Sequence, residues 1–300
     1  MKTIHIVIAS IIGGLVTVPL SAFADATWNM GSGYNGNGPQ TCSQTTAGST
    51  VNSITNVGNA WTCTSTAPSG PAPGMTMNAW SSTGTNSSAT ALAAAQLSRY
   101  SYSTPNPAVY DFAVRNVAGS DQHSMDNVGY TDMIAMKFDQ AVSLTQVSLG
   151  WTSTDADISV LRYKESGTPA AFPSSGVSLE SLTTTGGWEL VGHYANLQND
   201  TIAPIKTADI DNAVASSWWL ISAFNSAFGA GTTVHGGNTT SDEVTINGVT
   251  SKLLTASNDY VKLLAVAGKV SSSDVPEPAG IVLVGLGLLG LMASRRRITK

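Results

Sequence analysis

From about Tyr110 onward the chain is a succession of short apolar runs with a two-residue period, each closed by Gly, Asp, Asn or Ser. That period belongs to strands with one face buried, and no stretch of comparable length keeps a helical period of 3.6. Asp132 to Asp139 (DMIAMKFD) places Ile134, Met136 and Phe138 on one face. In Gln140 to Trp151 (QAVSLTQVSLGW), Val142 and Leu144 share a phase, and Val147 and Leu149 take the other. A slip of one residue implies a bulge or two strand segments. Asp157 to Tyr163 (DISVLRY) carries Ile158 and Val160 on one face. Gly187 to Tyr194 (GWELVGHY) places Trp188, Leu190 and Tyr194 together. Ser217 to Phe224 (SWWLISAF) is apolar on both faces and reads as a central strand. Val244 to Val249 is a weaker candidate, and Tyr260 to Ala267 (YVKLLAVA) closes the series. Six or more strands with short turns and no fixed-period repeat predict an all-β fold, an antiparallel β-sandwich or jelly roll.

The preceding segment has another texture. Residues 26–98 hold no Asp, Glu, Lys, Arg or His, 73 residues in all. Trp28, Tyr34, Trp61 and Trp80 are spread through it, with dense turn signals at Gly31 to Gly38 and Pro68 to Gly74. Short strands joined by polar turns fit this pattern, and so does a flexible Ser/Thr-rich stalk open to O-glycosylation. The tryptophans and cysteines favour partial order. Residues 89–98 (ATALAAAQLS) predict one short helix capped by Ser87 or Ser88. Cys42 and Cys63 are the only cysteines, 21 positions apart with no neighbouring histidine, and in an oxidising compartment they are most simply a disulfide.

Composition removes several function classes. With 14 Lys and Arg against 19 Asp and Glu, the chain lacks the basic patch that nucleic-acid binding needs, so no nucleic-acid partner is expected. Glu occurs five times, too few for a long helical or coiled-coil protein. Only 11% of residues are charged, while 37 Ser and 34 Thr supply the polarity, the balance of a secreted β-rich protein.

Both ends read as addresses. Lys2 precedes a mostly apolar stretch from Ile4 to Leu20, and Ala22-Phe23-Ala24 has the small-x-small form of a signal-peptidase site. Cleavage after Ala24 leaves Asp25 as the new N-terminus. At the other end, Val275-Pro276-Glu277-Pro278 precedes 15 uncharged residues, Ala279 to Ala293, and then Arg295, Arg296 and Arg297. The prolines keep the backbone extended and stop a helix from running upstream. The apolar run is short for a permanent span of about 20 residues, and the arginines would hold its end in the cytoplasm as a membrane stop.

This order of Pro-Glu-Pro motif, short apolar helix and Arg cluster resembles the PEP-CTERM sorting signal. The resemblance implies recognition and cleavage by exosortase, a membrane-embedded cysteine transpeptidase, in a Gram-negative bacterium that makes extracellular polysaccharide. It implies signal peptidase and exosortase as export partners, transient inner-membrane anchoring, and delivery to the cell surface or extracellular matrix. From Asp111 onward, the succession HSMDN, DMIAMKFDQAVSLTQVSLGW, DADISVLRY, GWELVGHY, SSWWLISAFN and DYVKLLAVAG is similar to exosortase-dependent surface proteins, a family with which no catalytic activity comes. The expected organisation is a signal peptide at 1–24, an uncharged Ser/Thr/Gly-rich region with a disulfide at 25–109, a β-sandwich domain at 110–270, and a sorting signal at 271–300. Between the two cleavages, residues 25–275 keep 9 Lys and Arg against 18 Asp and Glu, a net charge of −9.

Two chemistries suggest themselves beyond sorting. Asp121, Asp126 and Asn127 in one polar knot, with Asp155 and Asp157 at the entry to a strand, are oxygen ligands of the type Ca²⁺ takes, and they are equally residues that cap turns. Trp151, Trp188 and Trp218 could form an aromatic platform for polysaccharide, or fill the core. No cofactor is otherwise expected. His123, His193 and His235 lack zinc-site spacing, and no Gly-x-Ser-x-Gly elbow occurs, so no enzyme is expected. The leading expectation is a sorted surface or matrix protein, with a carbohydrate-binding module of the exopolysaccharide matrix as the alternative.

Overall fold

The 23 residues from Asp132 to Thr154 form a single strand long enough to take different partners along its two halves, and this strand organises the fold. The computed structural model describes residues 23–31, 41–66, 73–84, 90–102, 109–117, 123–154, 156–167, 169, 177–195, 197, 206–210, 214–229, 243–246, 249–252 and 258–271. The strands are β1 (Phe23–Asn29), β2 (Cys42–Thr46), β3 (Ser49–Val51), β4 (Ile54–Val57), β5 (Ala60–Cys63), β6 (Met75–Ser82), β7 (Leu92–Tyr102), β8 (Val109–Arg115) and β9 (Met125–Asp126). They continue with β10 (Asp132–Thr154), β11 (Ile158–Tyr163), β12 (Trp188–Tyr194), β13 (Lys206–Asp209), β14 (Ser216–Ala223), β15 (Glu243–Ile246), β16 (Val249–Lys252) and β17 (Asp259–Ser271). Among the described residues one short helix, α1 (Leu179–Thr184), and a 3-10 turn at Ser226–Phe228 interrupt them.

The first half of β10 pairs with β6 on one side, Met133 opposite Trp80, and with β14 on the other, Met133 opposite Ser222. Its second half pairs with β17 from Val142 to Thr154. The path β10–β17–β8–β7–β6 therefore returns to β10 and closes a five-stranded antiparallel barrel. Extra strands extend it: β14, β11 and β12 beyond β10, and β5 and β2 beyond β6. β1 and β9 lie along β17, and β13 along β10. The all-β, antiparallel expectation is met, but a closed barrel with appended strands replaces the sandwich or jelly roll. The reason is that β10 bridges both ends of the strand path instead of leaving two open sheets.

All five barrel strands send alternate residues to one interior core. Met75 and Met77, Ala95 and Leu97, Phe112 and Val114, Ile134 and Met136, and Val261 and Leu263 are buried together. The slip in β10 is a bulge: the register with β17 jumps between Leu144 and Gln146, which leaves Val142, Leu144, Val147 and Leu149 all in this core. A second core, holding Trp80, Leu92, Met133, Leu161, Trp188 and Leu220, lies on the other face of β6, β7 and β10 and continues over β11, β12 and β14. Helix α1 closes it with Leu179 and Leu182, three residues apart on one face. Ser178 caps the helix by accepting from the Ser181 backbone N–H at 3.2 Å, while the Ser181 hydroxyl accepts from the Ser178 N–H at 2.7 Å.

β14 is central as its sequence predicts, with Trp219 in the first core and Leu220 in the second. β12 departs from the alternating reading. Val191 is an extra residue between Gly192, opposite Val160, and Leu190, opposite Leu161, so Tyr194 joins the first core while Trp188 sits in the second. The largest correction concerns the helix expected over residues 89–98: the described residues 90–98 are not helical. Leu92–Tyr102 is a barrel strand between β6 and β8, because Leu92, Ala95 and Leu97 find buried places there that an isolated Ala-rich helix could not supply. β5, β6 and β7 come from the uncharged region yet share the sheet with β10 and β17, and Phe23–Ser271 clusters as one unit across the compositional boundary near residue 110.

Candidate functional site

The final strand runs almost directly into the Pro-Glu-Pro motif. β17 ends at Ser271, five positions before Pro276, after pairing with β10, β8, β9 and β1. β1 lies antiparallel to it, with Phe23 opposite Ser271, Ala24 opposite Val270 and Asp25 opposite Lys269. The expected signal-peptidase site between Ala24 and Asp25 thus falls inside β1, the strand that lies along β17 of the barrel. Removing Phe23 and Ala24 would leave five of the seven pairs of this ladder. Ala22, the motif Val275 to Pro278 and the membrane stop Arg295, Arg296 and Arg297 lie outside the described residues. Among the described residues no helix is long and apolar enough to cross a membrane.

Of the five oxygen ligands proposed for calcium, Asp126, Asn127 and Asp157 are buried, and the Asn127 side chain and the Asp157 backbone meet at Asp259, the first residue of β17. Asn127 donates from Nδ2 to Asp259 Oδ2 at 2.5 Å, and the Asp157 backbone N–H donates to Asp259 Oδ1 at 2.7 Å. The Asp259 N–H donates back to Asn127 Oδ1 at 2.8 Å. Next to them, Asp132 accepts from the Asp126 N–H and from Asn116 Nδ2, and Asp126 accepts from Ser124 and the Val128 N–H. Burial, followed by the adjacent Asp126 charge, holds the Asp132 carboxyl well above the usual carboxylate range. The network locks β9 and the start of β11 to β17. Asp121 and Asp155 lie outside the described residues, and among those described no group of three or more His, Cys, Asp or Glu is arranged to hold a metal ion.

A different polar row lies on the outer face of the barrel. Phe112 and Leu263 face each other inside, so the flanking Asp111, Lys262 and Leu264 point outward. Asp111 is fully buried on β8, and neither of its carboxylate oxygens has a hydrogen-bond partner. Burial alone pushes its carboxyl well above the usual range. Gly150 makes room for it: a Cβ there would stand 3.1 Å from Asp111 Oδ2 and 3.3 Å from the Leu264 Cβ. On β7, Tyr100 stands opposite Asp111, and Gln96 opposite Arg115. Gln96 Oε1 and Arg115 Nε are also buried without a partner. The Lys262 ammonium sits 4.8 Å from the Tyr100 ring centroid and 4.5 Å from that of Trp151. Desolvation lowers its pKa to about 8.

The three platform tryptophans are not brought together. Trp188 is buried in the second core against Tyr163, and Trp218 flanks that core with the Lys137 ammonium 5.8 Å from its ring. Trp151 belongs to the other half of β10, beside Lys262. Sequence reasoning missed Asp111 and Lys262 because isolated charges inside strands give no motif. It also passed over the buried pair of Ser159 and His193, 2.8 Å apart, whose ring Nε2 lies 3.1 Å from the Gly229 carbonyl and ties β11 and β12 to the 3-10 turn. The disulfide expected between Cys42 and Cys63 is present, linking directly opposed residues of β2 and β5.

Comparison with known proteins adds one assignment. The PEP-CTERM protein-sorting motif matches residues 274–297, covering the Pro-Glu-Pro motif, the apolar run and the Arg cluster. No curated protein and no solved structure matches the chain.

Proposed function

We infer that this chain, which carries a PEP-CTERM protein-sorting motif, is a cell-surface or extracellular-matrix protein with no catalysis of its own, delivered by exosortase. The motif marks export and membrane-associated processing in Gram-negative bacteria. The match at residues 274–297 is the observation that carries the reading. Signal peptidase removes residues 1–24, and the apolar run with Arg295 to Arg297 then holds the chain transiently in the inner membrane. The exosortase thiolate attacks a backbone carbonyl near Pro276-Glu277-Pro278. The peptide C–N bond breaks, the amine takes up a proton and leaves with the C-terminal fragment, and the barrel stays on the sulfur as a thioester until water takes the acyl group and frees it with a C-terminal carboxylate.

The position of β17 supports this order of events. Its last residue, Ser271, is at most about 18 Å of extended chain from Pro276. The cut therefore removes only residues beyond the barrel and leaves every pairing of β17 in place. Expressing the full chain in a producing strain, and in one without the transpeptidase, tests the reading: release into the medium should require the enzyme. Equal release from both strains would overturn it.

A further inference from the structure

We propose that the β1–β17 ladder fixes the order of maturation: the bond between Ala24 and Asp25 is hydrolysed before β1 docks, and a chain that folds first keeps residues 1–24. The proposal rests on the reading of Ala22-Phe23-Ala24 as a signal-peptidase site. Register places the bond between two consecutive pairs, Ala24 with Val270 and Asp25 with Lys269. Two hydrogen bonds further along β1 settle which way its backbone groups face. The Met30 N–H donates to the Leu264 carbonyl on β17 at 2.9 Å, whereas Thr27 exchanges backbone bonds of 3.0 and 2.8 Å with Thr66 on the other edge. Alternation along an antiparallel strand then turns the Ala24 carbonyl toward Val270. That carbonyl is the group a peptidase has to attack.

Neither strand yields easily. Ala26, Trp28 and Met30, at alternate positions past the bond, are buried in the first core. The Trp28 ring meets Phe138 edge-on with centroids 4.7 Å apart, and its indole N–H donates to the Pro73 carbonyl at 2.9 Å. Val270 is buried and is held on its other side by Val142 of β10. Hydrolysis adds one water across the bond, leaving Ala24 as a carboxylate and Asp25 as an ammonium. To reach it in the folded chain, the enzyme must first open the pairs of Phe23, Ala24 and Asp25, and cleavage then follows the small population in which they are open. During export the obstacle is absent. Val270 lies 246 positions behind Ala24, so the bond passes the peptidase before its partner strand has crossed the membrane.

The test is digestion of the full chain, residues 1–300, folded in detergent micelles with its disulfide formed, by purified bacterial signal peptidase. A synthetic peptide of residues 1–30 is the unpaired control, and mass spectrometry locates the cut. The peptide should be cut after Ala24, and the folded chain at least about tenfold more slowly. A second chain carries a Gly-Ser insertion of about six residues between Asp25 and Ala26, which moves the bond out of the ladder and leaves Ala26, Trp28 and Met30 in place. Circular dichroism melts confirm that both chains are folded. The insertion should restore the rate of the peptide. Equal rates for the peptide and the folded parent chain, or an insertion chain as slow as its parent, would overturn the proposal. A peptide left uncut after Ala24 would overturn the reading of the signal-peptidase site and the proposal with it, while transpeptidase-dependent release would still stand on its own.

Discussion

Asp111 holds its proton more tightly in the folded chain than in the unfolded one, because burial penalises the carboxylate and no donor relieves it. The unfolded state therefore releases that proton first as pH rises above 3.8, and this group makes stability fall until the folded form ionises too. Within that window the slope is about 1.4 kcal/mol per pH unit. Asp111→Asn should remove this slope, so thermal melts of the variant from pH 4 upward should lose less stability than wild type. Lys262 has the opposite sign of effect. Its amine ionises near pH 8 in the fold against 10.5 unfolded, so the unfolded chain binds more protons between those values and stability should rise with pH across them. Denaturant midpoints measured at pH 8 and pH 10 on an Asp111→Asn background isolate this rise, and a flat or falling trend would contradict the burial of Lys262.

At the scale of elements, β14 fastens the two cores together. Trp219 is fully buried, and its indole N–H donates to the Val142 carbonyl at 3.1 Å, so Trp219→Ala should cost about 3–5 kcal/mol in urea unfolding. The Cys42–Cys63 link closes a loop of about 22 residues at the edge of the sheet, and replacing both cysteines by serine should cost roughly 3 kcal/mol. Periodicity revealed Ile134, Met136 and Phe138 as one inward face, and SWWLISAF as a strand covered on both sides. It failed at ATALAAAQLS because Ala, Leu and Gln favour an isolated helix, whereas neighbours on β6 and β8 reward an alternating strand. It failed at Tyr194 because a bulge at Val191 shifts the phase without a turn residue to announce it. Barrel closure was not legible at all: the partnership of residues 75–81 with 132–138 depends on contacts more than fifty positions apart, and local patterning carries no record of them.

For the whole molecule, the charge-free stretch and the acidic remainder build one barrel, and the sorting signal begins where its last strand ends. A chain ending at Ser273 should keep the melting temperature of the full-length protein. One ending at Asn258, which lacks β17, should not fold, because β1, β8, β9 and β10 all lose their pairing with it and the barrel opens. Circular dichroism melts of the two truncations check this. The sorting signal was the most legible feature in the sequence, since its three parts are contiguous and need no tertiary contact to be seen. The outer-face row was the least legible, since Gln96, Asp111, Trp151 and Lys262 meet only through strand register. Sorting by two cleavages is decided by the intact mass of the protein that producing cells release. That mass should correspond to an N-terminus at Asp25 and a C-terminus within Val275 to Pro278. Released material that still ends at Lys300 would contradict delivery by exosortase.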